Sequence, residues 1–229
     1  MTTLLIRLAG PLQAWGAASR FTRRDTRQEP TKSGVIGLLA AAQGRRRSDP
    51  VEDLAALSFG VRIDQPGRLI RDFQVAVRPT DGKSMPLSYR YYLADAVFLA
   101  AISGPNALID GLVESLRRPT FPLYLGRRSC PPSRPLFVDT SDLSVAEALG
   151  DAPWQAATWF RKSQAKTVHL RGMLDAEPGA TGDVVRDHPV SFDPERREYG
   201  WRTVSERYWQ IENDLGRDEH DPLAVVGGG

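Results

Sequence analysis

The chain opens on an apolar run broken only by Arg7, Thr3 to Leu8 (TLLIRL), which reads as a strand. Gly-Pro and Gly punctuate the following AGPLQAWG, and the run ASRFTRRDTRQEP after it is too charged to be core. Apolar residues then fall at Val35, Ile36, Leu38, Leu39 and Ala42, predicting a helix over Val35 to Gln43 that Pro30 precedes and Thr31 or Ser33 caps. RRRSDP makes a loop, and VEDLAALS predicts a short helix with Asp49 as its cap. FGVRID and GRLIRDFQVAV are alternating or apolar runs separated by DQPG, a hairpin signal. After the polar turn cluster Arg78 to Pro86, YRYYLADAVFLAAI returns as a strand, aromatic at its start and buried at its end. Leu108, Ile109, Leu112, Val113 and Leu116 give NALIDGLVESLRR a helical spacing with Asn106 as cap, and PLYLG predicts a short strand running into a Gly-Arg-Arg loop.

With GRLIRDFQVAV and the start of YRYYLADAVF set aside as an inserted hairpin, the order is strand, helix, strand, strand, helix, strand. That pattern predicts an α+β chain with a ferredoxin-like (RRM-like) βαββαβ domain over residues 1–135, whose sheet face in the RRM version is a platform for single-stranded RNA. Beyond Pro135 short apolar pieces alternate with Pro, Gly, Asp and Arg, predicting a smaller, mostly β C-terminal domain over 136–229 with a GGG tail.

Composition changes this picture little: 41% hydrophobic and 25% charged residues suit a soluble globular chain. The N-terminal apolar run is too short for a membrane span and lacks a signal peptide's basic flank, so no membrane partner is expected. A single cysteine, Cys130, excludes an internal disulfide and fits a reducing compartment, so the cytoplasm is expected. Charge changes the picture more. Residues 1–134 hold 20 Lys and Arg against 11 Asp and Glu, a net of +9, while residues 135–229 hold 10 against 17, a net of −7. The excess peaks where Arg20, Arg23, Arg24, Arg27, Lys32, Arg45, Arg46 and Arg47 face only Asp25 and Glu29, the footprint expected of a polyanion binder.

Candidate chemistry narrows accordingly. PTKSG places Lys32 and Ser33 before Gly34, the reverse of a phosphate-binding P-loop, so an NTPase is rejected; a helix start carrying Lys32 still attracts a phosphodiester. His169, His188 and His220 are scattered, no second cysteine accompanies Cys130, and neither a metal site nor any cofactor is expected. No serine sits in a nucleophile elbow and no carboxylates form a suggestive pair. Metal-independent RNA cleavage needs only a base, an acid and a cation, which Lys83 and the Tyr89, Arg90, Tyr91, Tyr92 cluster could supply; the same cluster equally describes packing plus a stacking and phosphate-contact strip. In GPLQAWG, Gln13 could read a base edge and Trp15 could stack or anchor the core. In LGRRS, Arg127 and Arg128 could contact phosphates or be a solvated turn.

Together GPLQAWG (10–16), PTKSGVIGLLAAA (30–42) and YLGRRSCPP (124–132), with IRDFQVAV and YRYYLADAVF, resemble the CRISPR-associated RAMP family, in the branch that caps the crRNA in type I-E Cascade. The resemblance covers most of residues 3–135 and is looser beyond. It implies a ferredoxin-like domain with a hairpin thumb around Arg78 to Tyr91 and a small C-terminal β domain. It also implies a non-catalytic subunit of an antiviral interference complex that grips the crRNA 5′ handle. Such a subunit docks the backbone and large subunits and meets target DNA only through the complex. The residues it assigns to the handle are Gln13, Trp15, Arg20, Arg23, Thr31, Lys32, Ser33, Arg127 and Arg128, to which the charge and aromatic pattern adds Arg24, Arg27, Arg90 and Tyr91. The alternative is an endoribonuclease that processes repeat RNA without a metal.

Overall fold

The structure, a computed structural model, describes residues 1–16, 23–177 and 179–217. In β1 (Thr2–Ala9), Leu4, Ile6 and Leu8 are buried in one apolar cluster while Leu5 is buried in a second. Successive side chains on a strand face opposite ways, so a strand covered on both faces reads as a continuous apolar run. Four two-residue strands follow: β2 (Leu12–Gln13), β3 (Trp15–Gly16), β4 (Arg23–Arg24) and β5 (Thr26–Arg27).

Helix α1 spans Lys32–Ala42, and of its two candidate caps Thr31 is used: its hydroxyl accepts from the Gly34 N–H at 3.1 Å. Helix α2 (Glu52–Ala55) starts from Val51 without a side-chain cap. The expected cap, Asp49, instead accepts from the Arg46 N–H at 2.7 Å and closes the preceding turn. Then come β6 (Ser58–Gln65), β7 (Arg68–Gln74), β8 (Ser88–Ala94), β9 (Val97–Gly104) and α3 (Asn106–Arg117), where Pro105 and not Asn106 holds the cap position. The PLYLG segment is irregular, and the next strand is β10 (Phe137–Ser141). Leu125 still lies in the core, because its N–H donates to Cys130 O at 2.7 Å and its carbonyl accepts from Ala14 N at 3.0 Å within a loop contact instead of a sheet ladder. The region beyond contains α4 (Val145–Asp151), α5 (Thr158–Arg161), β11 (Thr167–Asp175), β12 (Asp183–Ser191) and β13 (Glu198–Glu212). A reciprocal cap starts α4: Ser144 N–H donates to Glu147 Oε2 at 3.1 Å and Glu147 N–H to Ser144 Oγ at 3.4 Å.

Seven strands form one antiparallel sheet in the order β10, β1, β9, β6, β11, β13, β12. The segment beyond residue 136 therefore adds strands at both ends of the sheet. Helices α1 and α3 cover the face carrying Leu4, Ile6 and Leu8; α4 covers the other, with Leu149 against Leu5, Leu99 and Trp209. Strands β7 and β8 leave the sheet as a hairpin registered from Arg68↔Ala94 to Gln74↔Ser88, and β2 and β4 flank β8.

An ion cluster joins the C-terminal strands to α1. Asp187 accepts from the Lys32 backbone N–H at 2.9 Å and from Arg202 Nε at 2.6 Å; Asp175 accepts from Lys32 Nζ at 3.0 Å, Arg202 Nη1 at 2.8 Å and Phe59 N–H at 2.9 Å. Two carboxylates balance two cations in a mostly buried site, so removing one leaves uncompensated charge. Asp187→Ala is expected to lower stability by about 3–5 kcal/mol in urea unfolding. Lys32→Met should cost less, because Asp175 keeps Arg202 and Phe59. A loss for Asp187→Ala within about 0.5 kcal/mol would show the cluster to be dispensable.

Candidate nucleic-acid interface

The strand β8 and its neighbours set the geometry. Alternation puts Tyr89, Tyr91 and Leu93 on one face of β8, and Arg90 and Tyr92 on the other. Strand β4 runs parallel beside it, with Arg23 in register with Tyr89 and Arg24 with Arg90. The loop 125–129 closes against both. Gly126 sits at φ +91°, and a Cβ there would lie 1.8 Å from Ala14 O, so only glycine permits the approach. That turn aims Arg127 at the strands: Nη1 donates to Tyr91 O at 3.1 Å, Nη2 to Arg24 O at 2.8 Å, and the guanidinium lies 4.6 Å from the centre of the Tyr92 ring.

Arg127 is therefore a clamp between three segments. Around it Arg24 and Arg128 are exposed, and Arg27 and Arg90 are half-buried. Arg128 makes no hydrogen bond or ion pair among the described residues, and the buried Arg90 Nε has no partner. Burial alone would raise the Tyr92 phenol, but hydrogen bonding from Ser129 and Arg127 and the Arg127 charge together hold it below the usual phenol range. Burial pushes the neighbouring Cys130 thiol up, which makes it a packing residue and not a nucleophile.

Several predicted contacts lie elsewhere. Gln13 is fully buried: its amide donates to Leu8 O at 3.1 Å and Ala96 O at 2.7 Å, and its carbonyl accepts from Trp15 Nε1 at 3.0 Å. Trp15 is the core anchor of its two readings, fully buried and packed on Gly34, where a Cβ would come within 2.9 Å of the ring. Thr31 is buried as the α1 cap, Lys32 is buried in the ion cluster, and Ser33 is half-buried in the first turn. The anion at this helix start is the chain's own Asp187. Arg20 lies outside the described residues, and Arg23 is placed only by its strand register. The structure thus gathers Arg24, Arg27, Arg90, Tyr91, Arg127 and Arg128 and sends Gln13, Trp15, Thr31 and Lys32 inward.

Sequence reasoning missed the hairpin's own face. Leu69, Arg71 and Phe73 pair with Leu93, Tyr91 and Tyr89, and Arg71 lies 5.4 Å from the Tyr89 ring centre. Leu69, Phe73, Val75 and Val77 are exposed. The alternation in RLIRDF carried that signal. At the hairpin root an open cleft of about 610 Å3 is lined by Leu69, Leu93, Trp154, Phe160, Arg171 and His169, so β11 brings a histidine near the tyrosine strand. No tyrosine or lysine lines that cleft. Among the described residues no three His, Cys, Asp or Glu are grouped to hold a metal, and no helix is long and apolar enough to cross a membrane.

Fold and surface together describe a mixed α+β, mostly antiparallel protein with an arginine-rich surface at the root of a projecting hairpin. A family model described as CRISPR-associated protein (Cas_Cas5) matches residues 3–205. The chain belongs to this Cas5 family, and the resemblance drawn from its short motifs is borne out at that level. It is 37% identical over 162 residues to the CRISPR system Cascade subunit CasD of Escherichia coli (strain K12), covering 62% of this chain and 72% of the relative. Among solved structures it resembles one described as "Crystal structure of Cas protein", with 40% identity, TM-score 0.71 and 94% and 98% of the two chains covered. It also resembles a chain of a "CRISPR RNA-guided surveillance complex", with 33% identity, TM-score 0.77 and 98% and 97% covered.

The clamp has a spectroscopic signature. Arg127→Ala is expected to raise the lowest tyrosine titration midpoint, followed as ultraviolet difference absorbance, because it removes the charge that favours the Tyr92 phenolate. For a group depressed in the folded state, stability rises with pH between the folded midpoint and the unfolded value near 10. The wild type should show that alkaline gain and Arg127→Ala should lose it. Identical titrations would place the control of Tyr92 elsewhere.

Proposed function

We propose that this protein is a non-catalytic RNA-binding subunit of a Cascade-type surveillance complex and caps the 5′ handle of the crRNA. The observation that carries this reading is the group formed by exposed Arg24 and Arg128 and half-buried Arg27 and Arg90, on backbone fixed by Arg127. Among the described residues these guanidiniums have no carboxylate partner, which suits them to a phosphate backbone, and ordered strands hold them without a large entropy cost on binding. Membership of the Cas5 family and similarity to CasD and to a chain of an RNA-guided surveillance complex support the choice of RNA and of the assembly.

In this reading the four strands β10, β1, β9 and β6, crossed by α1 and α3, are the ferredoxin-like unit, and β11 to β13 form the C-terminal extension. The β7–β8 hairpin is the thumb. Its exposed Leu69, Phe73, Val75 and Val77 would be covered by a neighbouring backbone subunit, since apolar side chains projecting on a two-stranded hairpin gain stability by burial. The large subunit docks on the same assembled particle, and target DNA is met only through it. An RNA-cleaving base and acid must converge on one phosphate, and the lining of the hairpin-root cleft, which includes His169, contains neither Tyr91 nor Lys83.

Binding of labelled repeat-derived RNA in EDTA, by the full chain or its co-expressed complex, tests this. Arg24→Glu with Arg128→Glu should weaken binding at least about tenfold and flatten its salt dependence by roughly 0.7 per lost phosphate contact. Lys32→Met should leave affinity unchanged where the fold is retained, because that ammonium faces Asp175. A discrete cleavage product that disappears in Tyr91→Phe would establish the ribonuclease instead.

A further inference from the structure

The seven-stranded sheet has one open seam. Strand β11 pairs with β13 along its whole length, Thr167 to Asp175, but with β6 only over Gly172–Leu174. Beyond Arg62 the two strands part. The cause lies in β6, whose register with β9 shifts between Ile63 and Gln65, a bulge at Asp64. The Asp64 carbonyl accepts from Trp154 Nε1 at 2.8 Å and its carboxylate accepts from the Gln155 N–H at 2.6 Å, so side-chain and loop contacts hold the bulge where a ladder would otherwise run. The edge of β11 from Thr167 to Arg171 on the β6 side therefore has no ladder partner among the described residues, although β13 keeps it extended. That edge lines the cleft of about 610 Å3 at the hairpin root.

An open strand edge presents backbone N–H and C=O groups that call for hydrogen-bond partners. A polypeptide strand is the common partner, but this edge is short and closed at both ends: β6 rejoins it at Gly172, and Arg217 bridges Ala165. A compact planar ligand suits such a seam better than a strand that must pass along it. The cleft supplies an aromatic wall in half-buried Phe160, set edge-to-face on Trp154 with ring centres 6.2 Å apart. The exposed Gln28 amide and His169 ring line it too, and neither makes a hydrogen bond or ion pair among the described residues. Gln28 directly follows Arg27, and Leu93, also in the lining, shares the face of β8 that carries Tyr91, so the cleft adjoins the arginine group. Its volume lies in the range that takes a whole small molecule. We propose that this seam is a nucleobase pocket, which takes one unstacked base of the bound RNA against Phe160 and hydrogen-bonds its edge through Gln28 and the open edge of β11. The choice of RNA rests on the reading under Proposed function; the choice of a base rests on the closed, aromatic-walled seam.

The test is equilibrium binding of labelled repeat-derived RNAs, each carrying one abasic site, to the full chain or its co-expressed complex. A single abasic position should weaken binding to the wild type about tenfold. Gln28→Ala with Phe160→Leu should weaken binding of intact RNA by about the same factor and leave the salt slope unchanged, because no phosphate contact is lost. In that variant the abasic penalty should shrink below about twofold, since RNA and protein then lose the same contact. Gln28→Ala alone, on an exposed side chain, should also reduce the penalty, which guards against a loosened fold in Phe160→Leu. A loss in the variants that leaves every abasic penalty at its wild-type value would mark a structural effect and overturn the proposal. If the variants match the wild type on every RNA while the Arg24 and Arg128 reversals still weaken binding, the pocket fails and the broader reading stands. If RNA affinity is untouched but a partner protein is lost from the complex, the seam takes a polypeptide strand, and the proposal fails equally. An absence of RNA binding by the wild type and its complex overturns the broader reading and this one with it.

Discussion

The basic surface depends on one guanidinium that points inward. Arg127 donates to the carbonyls of Arg24 and Tyr91 and lies against the Tyr92 ring, so β4, β8 and the 125–129 loop share a single fastener. Strand β4 is only two residues long and pairs in parallel, which is a weak ladder by itself. Charge-assisted bonds to its carbonyl supply what the short ladder lacks. Arg128, one residue on, is left exposed, and a single loop thus provides both a structural and a surface arginine.

The same division of labour explains which of the expected contacts reach the surface. Arg24 and Arg27 lie in the basic run that charge counting marked, whereas Arg90 stood out in the aromatic strand pattern and Arg128 in the Gly-Arg-Arg loop. Gln13, Trp15 and Lys32 were drawn in because their residue types can also recognise RNA, yet each is consumed by a contact inside the fold. Gln13 and Trp15 satisfy one another two residues apart, a pairing that a short polar-aromatic motif cannot distinguish from a reading head. Lys32 is neutralised by Asp175, and its backbone N–H is bonded to Asp187, carboxylates 143 and 155 residues away, where no local pattern reaches. The helix start at PTKSG was legible; the identity of its anion was not.

Much of the fold was legible where periodicity was strong. The apolar run of β1 and the spacing in α1 and α3 follow directly from which faces must be buried. The hairpin expected at DQPG does not form, because β6 pairs with β9 and β11 and β7 with β8, and YRYYLADAVFLAAI is split at Asp95, φ +56°, into β8 and β9. The misplacement of the strand expected at PLYLG has a physical reason. Its apolar residues pack as a loop against Ala14 and Cys130, and burial without a ladder looks like a strand in sequence. Helix α4 was obscured by its short length, and only the Ser144 and Glu147 spacing marked it. The charge segregation between the halves marks a contact only in part. Asp175 and Asp187 from the acidic half meet Lys32 of the basic half, whereas among the described residues exposed Arg24 and Arg128 have no carboxylate partner.

On the function proposed above, RNA lies on the surface fastened by Arg127. Ultraviolet crosslinking of repeat-derived RNA to the protein in its complex, with the crosslinked peptides mapped by mass spectrometry, addresses it most directly. Adducts are expected on the segments containing Arg24 to Arg27, Tyr89 to Tyr91 and Arg127 to Ser129. Adducts confined to β12 and β13, with none on those three segments, would contradict it.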